Sequence, residues 1–136
     1  MTRREPTNPI IARTGNRTVE GLPGWEVEEQ FPYSLEYREA FQDSRRILRF
    51  QSEMTATSDV SIILYDEPGS FRWQPPFQGE PLTPAELHPI LVRVTAAVKL
   101  LGVRPIWETM PVERERTDWP VIMAEVQALL RRADKA

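Results

Sequence analysis

The sequence predicts an α+β fold, in which a largely antiparallel sheet carries two helices packed mainly on one face. Short segments between residues 25 and 54 alternate apolar with polar side chains, which is the period of half-buried strands. Residues 83–101 instead place apolar side chains at helical spacing, and a second helical pattern follows Asp118. The apolar stripe of each helix needs a partner surface, and the strand-like segments supply one.

The composition describes a single domain that spans residues 1–136. Of the 136 residues, 40% are hydrophobic and 27% charged, which suits one soluble domain with a real core. Residues 1–9 are polar and interrupted by two prolines, so we expect a loose N-terminal tail. The net charge of −3 gives no general electrostatic footprint for nucleic acid, and no nucleic-acid partner is expected.

Cysteine content and hydropathy bear on the compartment of the protein. The chain has no cysteine, which excludes disulfides, thiolate nucleophiles and thiolate metal sites. No segment has the apolar length of a signal-peptide core or of a membrane span. We therefore expect a cytoplasmic protein without membrane contact.

The first half of the chain contains five strand-like segments. Residues 10–13 and 17–20 flank a Thr-Gly-Asn turn and predict a small hairpin. Alternation then predicts strands over 25–30, 35–41 and 46–54. On the solvated face of these strands we expect cross-strand charge pairs among a set of four residues: Glu36, Arg38, Arg49 and Glu53.

The middle of the chain predicts a central strand and a hairpin. Residues 60–65 are apolar on both faces except for Ser61, which is typical of a strand covered on both sides. Pro and Gly at the middle of residues 67–70 predict a type II turn, after which residues 71–74 return as the hairpin partner. Residues 104–109 predict a further strand, with Trp107 facing inward.

The helix over residues 83–101 has clear end signals. Thr83 and Glu86 form a capping box, and Gly102 ends the helix. Pro89 lies past the first turn, so we expect it to bend or restart the helix. The second helix is predicted to begin after Thr117 or Asp118.

The residues that carry chemistry form no recognisable catalytic or cofactor motif. The only histidine, His88, has Glu86 as its sole carboxylate neighbour in sequence, and a surface or capping role is the preferred interpretation. The six glycines form no phosphate-binding motif. Glu26 and Glu28 share a strand face, which we interpret as a solvent face rather than a catalytic pair. We predict no enzyme, no cofactor, no catalytic residue and no metal site.

The stretch from Tyr37 to about Trp107, roughly half of the chain, carries three linked features. They are the strand pair Tyr37-Arg38-Glu39 and Ile47-Leu48-Arg49-Phe50 with Glu53, then Arg72-Trp73 beside prolines, then Leu82-Thr83-Pro84 and a helix ending at Leu101-Gly102. This pattern resembles small bacterial immunity proteins encoded beside polymorphic or contact-dependent toxins. The resemblance implies an α+β fold and a non-catalytic role, namely binding one toxin domain tightly and blocking its active site.

The charge of the central segment indicates where a partner would bind. Residues 25–82 carry 11 acidic side chains against 5 arginines, a balance of −6. We predict partner binding by six residues of this segment: Asp66, Glu67, Trp73, Glu36, Glu39 and Glu80. Alternation places Glu36 and Glu39 on opposite faces of their strand, and Trp73 has the core as its alternative location.

The function predicted from the sequence is therefore a toxin-neutralising immunity protein with a protein partner. The alternative is an accessory subunit or secretion chaperone that shields an apolar surface of its partner. A small-molecule pocket between the sheet and the helix is a third possibility. A charged contact would depend steeply on salt, whereas an apolar contact would not.

Overall fold

A computed structural model describes residues 11–22, 24–30, 34–55, 61–66, 71–109, 114–115 and 118–134. The tail predicted for residues 1–9 and the turn predicted for residues 67–70 lie outside these ranges. The described part of the chain has eight strands and two helices. The first helix lies between the sixth and seventh strands, and the second follows the eighth strand.

The eight strands form one sheet in which neighbours along the chain are neighbours in space. They are β1 (Ile11–Arg13), β2 (Thr18–Gly21), β3 (Trp25–Gln30), β4 (Ser34–Phe41), β5 (Ser44–Thr55), β6 (Ser61–Asp66), β7 (Arg104–Thr109) and β8 (Arg114–Glu115). All neighbouring pairs are antiparallel except β6 and β7, which are parallel. The largely antiparallel sheet predicted from the sequence is thus confirmed, and so is the N-terminal hairpin.

Strand β5 belongs to both halves of the sheet. Its residues 44–51 pair with β4, whereas its residues 52–55 pair with β6. The predicted central strand is confirmed as β6, which lies between β5 and β7. Because both edges of β6 are occupied by those strands, no edge remains for a hairpin partner.

The hairpin predicted between β6 and residues 71–74 is therefore wrong. Residues 71–74 have no strand assignment, and they lie against the first half of β5 instead of β6. The backbone N–H of Gln74 donates to the carbonyl of Ile47 at 2.8 Å. The two prolines that follow, at 75 and 76, have no N–H to donate, so a regular ladder cannot continue there.

Two helices cover one face of the sheet. Helix α1 spans Pro84–Leu100 and helix α2 spans Trp119–Asp134. Helix α1 contacts β1, β2 and β7, and α2 contacts β1 and α1. Neither helix is long and apolar enough to cross a membrane, nor is any other helix in the described ranges.

The capping box of α1 forms as predicted. The Glu86 N–H donates to the Thr83 hydroxyl at 3.2 Å, and the Thr83 N–H donates to the Glu86 carboxylate at 3.0 Å. The restart expected at Pro89 is wrong, because α1 runs through that position as one helix. Pro89 and Ala85 both lie on the exposed side, so water can hydrogen bond to the Ala85 carbonyl that Pro89 leaves without a donor.

The core lies between the helices and the face of the sheet that they cover. Its largest fully buried side chains include Trp107, Tyr37, Phe50, Leu35, Leu48, Leu91 and Ile122. Val94 at the centre of α1 has no exposed surface, as its place in the apolar stripe predicts. Trp107 faces inward, which confirms its predicted orientation.

One glycine of the core face allows a close approach that the sequence pattern does not reveal. A Cβ atom at Gly21 would lie 2.1 Å from Cζ2 of Trp25, which is the residue opposite it on β3. The Trp25 indole N–H donates to the carbonyl of Leu22 at 3.1 Å. Gly21 therefore gives the indole ring room to lie across the end of β2.

The capping box also predicts a dependence of stability on pH. Hydrogen bonds from the Thr83 backbone lower the pKa of the Glu86 carboxyl group in the folded state. Because the folded-state pKa is lowered, the stabilisation of the folded state by the charged Glu86 carboxylate is complete above the unfolded pKa of about 4.3. This stabilisation is lost as the pH falls through the folded-state pKa. We expect wild type to exceed Glu86→Gln in unfolding free energy at neutral pH, and the difference to shrink in acid.

Urea denaturation at several pH values measures this difference. Thr83→Ser is the matched control, because it keeps the hydroxyl acceptor and should keep the pH dependence of wild type. A wild-type advantage that is the same at neutral and acidic pH would contradict a role for the charged carboxylate.

Candidate functional site

The candidate site is the face of β2 to β5 opposite the helices, which we call the outer face. Alternation along these strands directs most of their apolar side chains to the helices and most of their charged side chains to this face, with Glu39 and Arg46 as exceptions on the helix side. The outer face comprises Glu20, Glu26, Glu28, Gln30, Glu36, Arg38, Ala40, Arg45, Ile47 and Arg49. Arg93 of α1 contacts Tyr37 and Trp25 on the opposite side of the sheet, and within the outer face Glu36 is only 5% exposed.

Arg38 is the centre of the charges on the outer face. Its guanidinium donates to Glu36 at 2.7 Å and to Glu28 at 3.5 Å, and its Nε donates to Glu26. Burial alone would lower the pKa of this guanidinium, but the hydrogen bond and negative charge of Glu26, with the charges of Glu36 and Glu28, raise it overall. Arg38 is therefore a permanent cation held by three carboxylates from two strands.

The strand register shows why a central cation is needed there. Glu28 lies directly opposite Glu36, and Glu20 lies directly opposite Glu26. Like charges that face each other across a strand pair are destabilising. Arg38 offsets the Glu28–Glu36 repulsion, and the amide of Gln30 donates to both of those carboxylates as well.

The rim of the outer face carries more accessible charges. Arg45 donates to Glu26 at 3.1 Å, and Arg49 lies 3.8 Å from Glu36. The two arginine side chains are 63% and 59% exposed. Among the described residues Glu20 is exposed and has no ion pair. The predicted cross-strand pair of Glu36 with Arg49 is confirmed, whereas Arg38 pairs with Glu36 along the same strand and with Glu26 and Glu28 across strands. The side chain of Glu53 lies outside the described part.

A shallow cavity of about 200 Å³ lies where the outer face meets the turn between β2 and β3. Its lining combines the carboxylates of Glu20 and Glu26 with the guanidinium groups of Arg38 and Arg45. Gly21 and Gly24 contribute backbone without side chains. The outer face therefore has a recess as well as a pattern of charges.

A second polar cluster lies on the helix side of the sheet. The Tyr37 hydroxyl donates to Glu39 at 2.8 Å and accepts from Arg93 of α1 at 2.6 Å. Burial raises the pKa of the Tyr37 hydroxyl far above its usual value, although the Arg93 charge opposes the rise. Arg46 donates to Glu39 from Nε at 3.0 Å and from a terminal nitrogen at 2.8 Å.

Trp73 belongs to this second cluster. The Arg46 guanidinium lies 4.1 Å from the centre of the Trp73 ring and 4.3 Å from that of Phe41. The Tyr37 and Trp73 ring centres are 6.4 Å apart, and Trp73 is only 8% exposed. Trp73 therefore lies in the core, which is the alternative location that the sequence analysis gave it, and not at an accessible interface. Its cation–π contact with Arg46 joins residues 71–77 to the sheet.

The residues predicted to bind a partner do not form one surface. Glu36 lies on the outer face and Glu39 on the helix side, which confirms their opposite orientation. Glu80 is exposed in the loop before α1. Asp66 ends β6 with a side chain outside the described set, and Glu67 lies outside the described residues altogether.

His88 has a carboxylate partner that sequence proximity does not indicate. Its Nε2 atom hydrogen bonds to Glu125 of α2, so the histidine links the two helices at their exposed side. Within the described ranges, no group of three or more His, Asp or Glu side chains is arranged to hold a metal ion. The contact is that of an interhelical link on the surface.

Comparisons with protein-family models, with curated proteins and with solved structures found no match to this chain.

The residues at the centre of the outer face were only partly indicated by sequence. Alternation assigns Glu26, Glu28 and Arg38 to a solvent face, but it does not show which carboxylates meet the arginine. The distances between these side chains depend on the strand register, in which Glu26 faces Arg38 and Glu28 faces Glu36. The sequence feature that could have indicated these contacts is the turn at Gly21–Gly24, because a short connection makes β2 and β3 neighbours in the sheet.

Proposed function

We propose that this protein is a cytoplasmic immunity protein that binds a cognate toxin domain through its outer face and blocks it. The observation that carries the proposal is a broad sheet face that the described helices leave uncovered and on which charged side chains are already ordered. A non-catalytic binding role also agrees with the resemblance in sequence.

The ordered charges favour specific recognition over general attraction. Four glutamates and three arginines share the outer face, so its net charge is only −1. A face so nearly neutral recognises a partner by the pattern of its charges, which fixes the register of the complex. Glu20 has no ion pair among the described residues, and Glu28 is the most exposed of the three carboxylates around Arg38, so a basic partner would pair first with these two.

Preorganisation lowers the entropic cost of binding at this face. Arg38 and Gln30 fix the carboxylates of Glu28 and Glu36 before the partner arrives, so fewer side chains lose rotamer freedom in the complex. The exposed Arg45 and Arg49 at the rim would pair with acidic groups of the partner or repel a wrong one. The outer face thus offers both attraction and discrimination.

The test is a calorimetric and kinetic titration against the toxin domain encoded by the adjacent gene. The variant Glu20→Lys/Glu28→Lys should weaken binding by about tenfold or more, with a slower association rate and a smaller salt dependence. Both side chains lie on the surface of paired strands, so thermal unfolding should remain close to that of wild type.

Glu80→Lys and His88→Ala are matched controls, because Glu80 is exposed in the loop before α1 and His88 is a half-buried residue of the helix pair, and both lie away from the outer face. Full binding by the double variant, together with loss of binding by Glu80→Lys, would show that the partner binds the loop before α1 instead of the outer face. Binding that does not depend on salt would favour the accessory-subunit or chaperone alternative. Failure of the wild-type protein to bind or neutralise this toxin domain would contradict the proposal.

A further inference from the structure

The first half of β5 has one edge that no other strand of the described chain covers. It pairs with β4 on one side, but β6 pairs only with the second half of β5. In an antiparallel strand the N–H and C=O of a residue point to the same side, and those of the next residue point to the other side. Because the Ile47 carbonyl accepts from Gln74, the backbone groups of Arg45, Ile47 and Arg49 point away from β4. We call these groups the β5 edge.

Residues 71–77, which we call the strap, lie along the β5 edge and are held there mainly by side chains. Ring centres lie 5.0 Å apart for Phe71 and Phe50, and 5.2 Å apart for Phe77 and Phe41. Between these two contacts, Trp73 is buried beneath the guanidinium of Arg46. Aromatic and cation–π contacts therefore fix the strap at both ends and in the middle.

The backbone of the strap satisfies little of the β5 edge. Among the backbone hydrogen bonds of the described residues, only the one from Gln74 to Ile47 joins the strap to this edge. The next two residues of the strap, Pro75 and Pro76, have no N–H to donate. The strap therefore covers the edge as a loop and does not continue the sheet.

The side chains beside the β5 edge oppose pairing with a second copy of the chain. If two β5 edges paired antiparallel about Ile47, Arg45 of one copy would lie opposite Arg49 of the other, and two-fold symmetry would repeat this contact. The two arginine side chains are 63% and 59% exposed. Like charges that lie directly opposite each other across two strands are destabilising.

We propose that the strap, together with Arg45 and Arg49, prevents the β5 edge from pairing with a second copy of this chain. An unpaired strand edge is a template for another strand, and natural sheets protect such edges with covering loops, prolines and charges. All three devices meet at this edge. A second copy is the occupant that they exclude, because it carries an edge of the same length and hydrogen-bonding pattern. The proposal does not rest on toxin binding by the outer face.

The experiment combines a loosened strap with a reversed charge. Gln74→Pro/Phe77→Ala removes the backbone bond to Ile47 and one ring contact, and it leaves Trp73 in the core. Adding Arg49→Glu places a glutamate opposite Arg45 of the second copy. We expect sedimentation to show a monomer for the wild type and a dimer for this triple variant, with association at least about tenfold stronger than with the loosened strap alone. Hydrogen exchange should show protection of the Arg45 and Ile47 amides in the dimer.

Three controls separate edge pairing from nonspecific association. Arg49→Glu with an intact strap should stay monomeric, because the edge is still covered. Arg45→Glu/Arg49→Glu in the loosened background places glutamate opposite glutamate, so association should return to the level of the loosened strap alone. Gln78→Pro makes the proline substitution at an exposed position outside the strap and should have no effect in the Arg49→Glu background.

Each part of the proposal can fail separately. A triple variant that folds by circular dichroism and remains monomeric would show that the edge does not pair. Equal dimerisation by Arg49→Glu with an intact strap would show that the strap is no barrier. Equal dimerisation by the variant with both glutamates would show that the copies do not pair about Ile47. Gln74→Pro alone with Arg49→Glu, which deletes one hydrogen bond, should give the same result with a smaller effect and provides the test if the triple variant does not fold.

Discussion

Replacing Val94 by aspartate is expected to lower the unfolding free energy by more than about 3 kcal/mol. Val94 has no exposed surface and lies at the middle of α1, between that helix and the sheet. The new carboxylate would be buried without a hydrogen-bond donor prepared for it. Since small domains are stable by only about 5–15 kcal/mol, much of the protein should unfold at ordinary temperature.

Circular dichroism during urea and thermal denaturation measures the effect. Ala85→Asp is the matched control, because it introduces the same side chain at an exposed position in the first turn of α1. That control should stay within about 0.5 kcal/mol of wild type. Equal stability of the two aspartate variants would contradict the packing of α1 on the sheet.

Removing the indole of Trp107 is expected to have a comparable effect, with a loss of about 3–5 kcal/mol for Trp107→Ala. Trp107 is fully buried, and its ring centre lies 5.5 Å from that of Phe50 in an edge-on contact. Its indole N–H donates to the Thr95 hydroxyl at 2.7 Å, and that hydroxyl donates to the Leu91 carbonyl at 2.6 Å. The substitution would create a cavity and remove the first hydrogen bond of this chain.

Trp107→Phe separates the two contributions. Phenylalanine keeps most of the aromatic packing but has no N–H for Thr95, so the expected loss is smaller, about 1–3 kcal/mol. Denaturant midpoints should fall in the order wild type, Trp107→Phe, Trp107→Ala. Equal losses in the two variants would show that the hydrogen bond, and not the packing of the ring, dominates at this site.

The elements that the sequence predicts correctly are those in which a local period determines the structure. Alternation identified β3 to β5, and helical spacing with the Thr83 capping box identified α1 to within about one residue at each end. The partner of β6 could not be predicted in this way. Strand β7 follows α1 in the chain, and its pairing with β6 depends on packing across the helix rather than on any local pattern.

The same limit applies to the candidate site. Alternation separates Glu36 from Glu39, but it does not show that Glu39 meets Arg93 of α1 while Glu36 meets Arg38 of its own strand. The accessible carboxylate Glu20 was missed because its strand is short and its charge stands alone in sequence. Trp73 was ambiguous, since a tryptophan beside prolines suits both a core and an interface.

The shared strand β5 has a consequence for the order in which the chain assembles during synthesis. Strands β1 to β5 pair only with their immediate neighbours, so they close short loops. Strand β6 needs β7 as its second neighbour, and that contact joins Ser61 to Arg104 across all of α1. During translation, strands β1 to β5 leave the ribosome before α1 and β7. Until α1 and β7 are also synthesised, the apolar side of these five strands is exposed. A nascent chain is most prone to misassembly with other chains between the release of β5 and the release of β7.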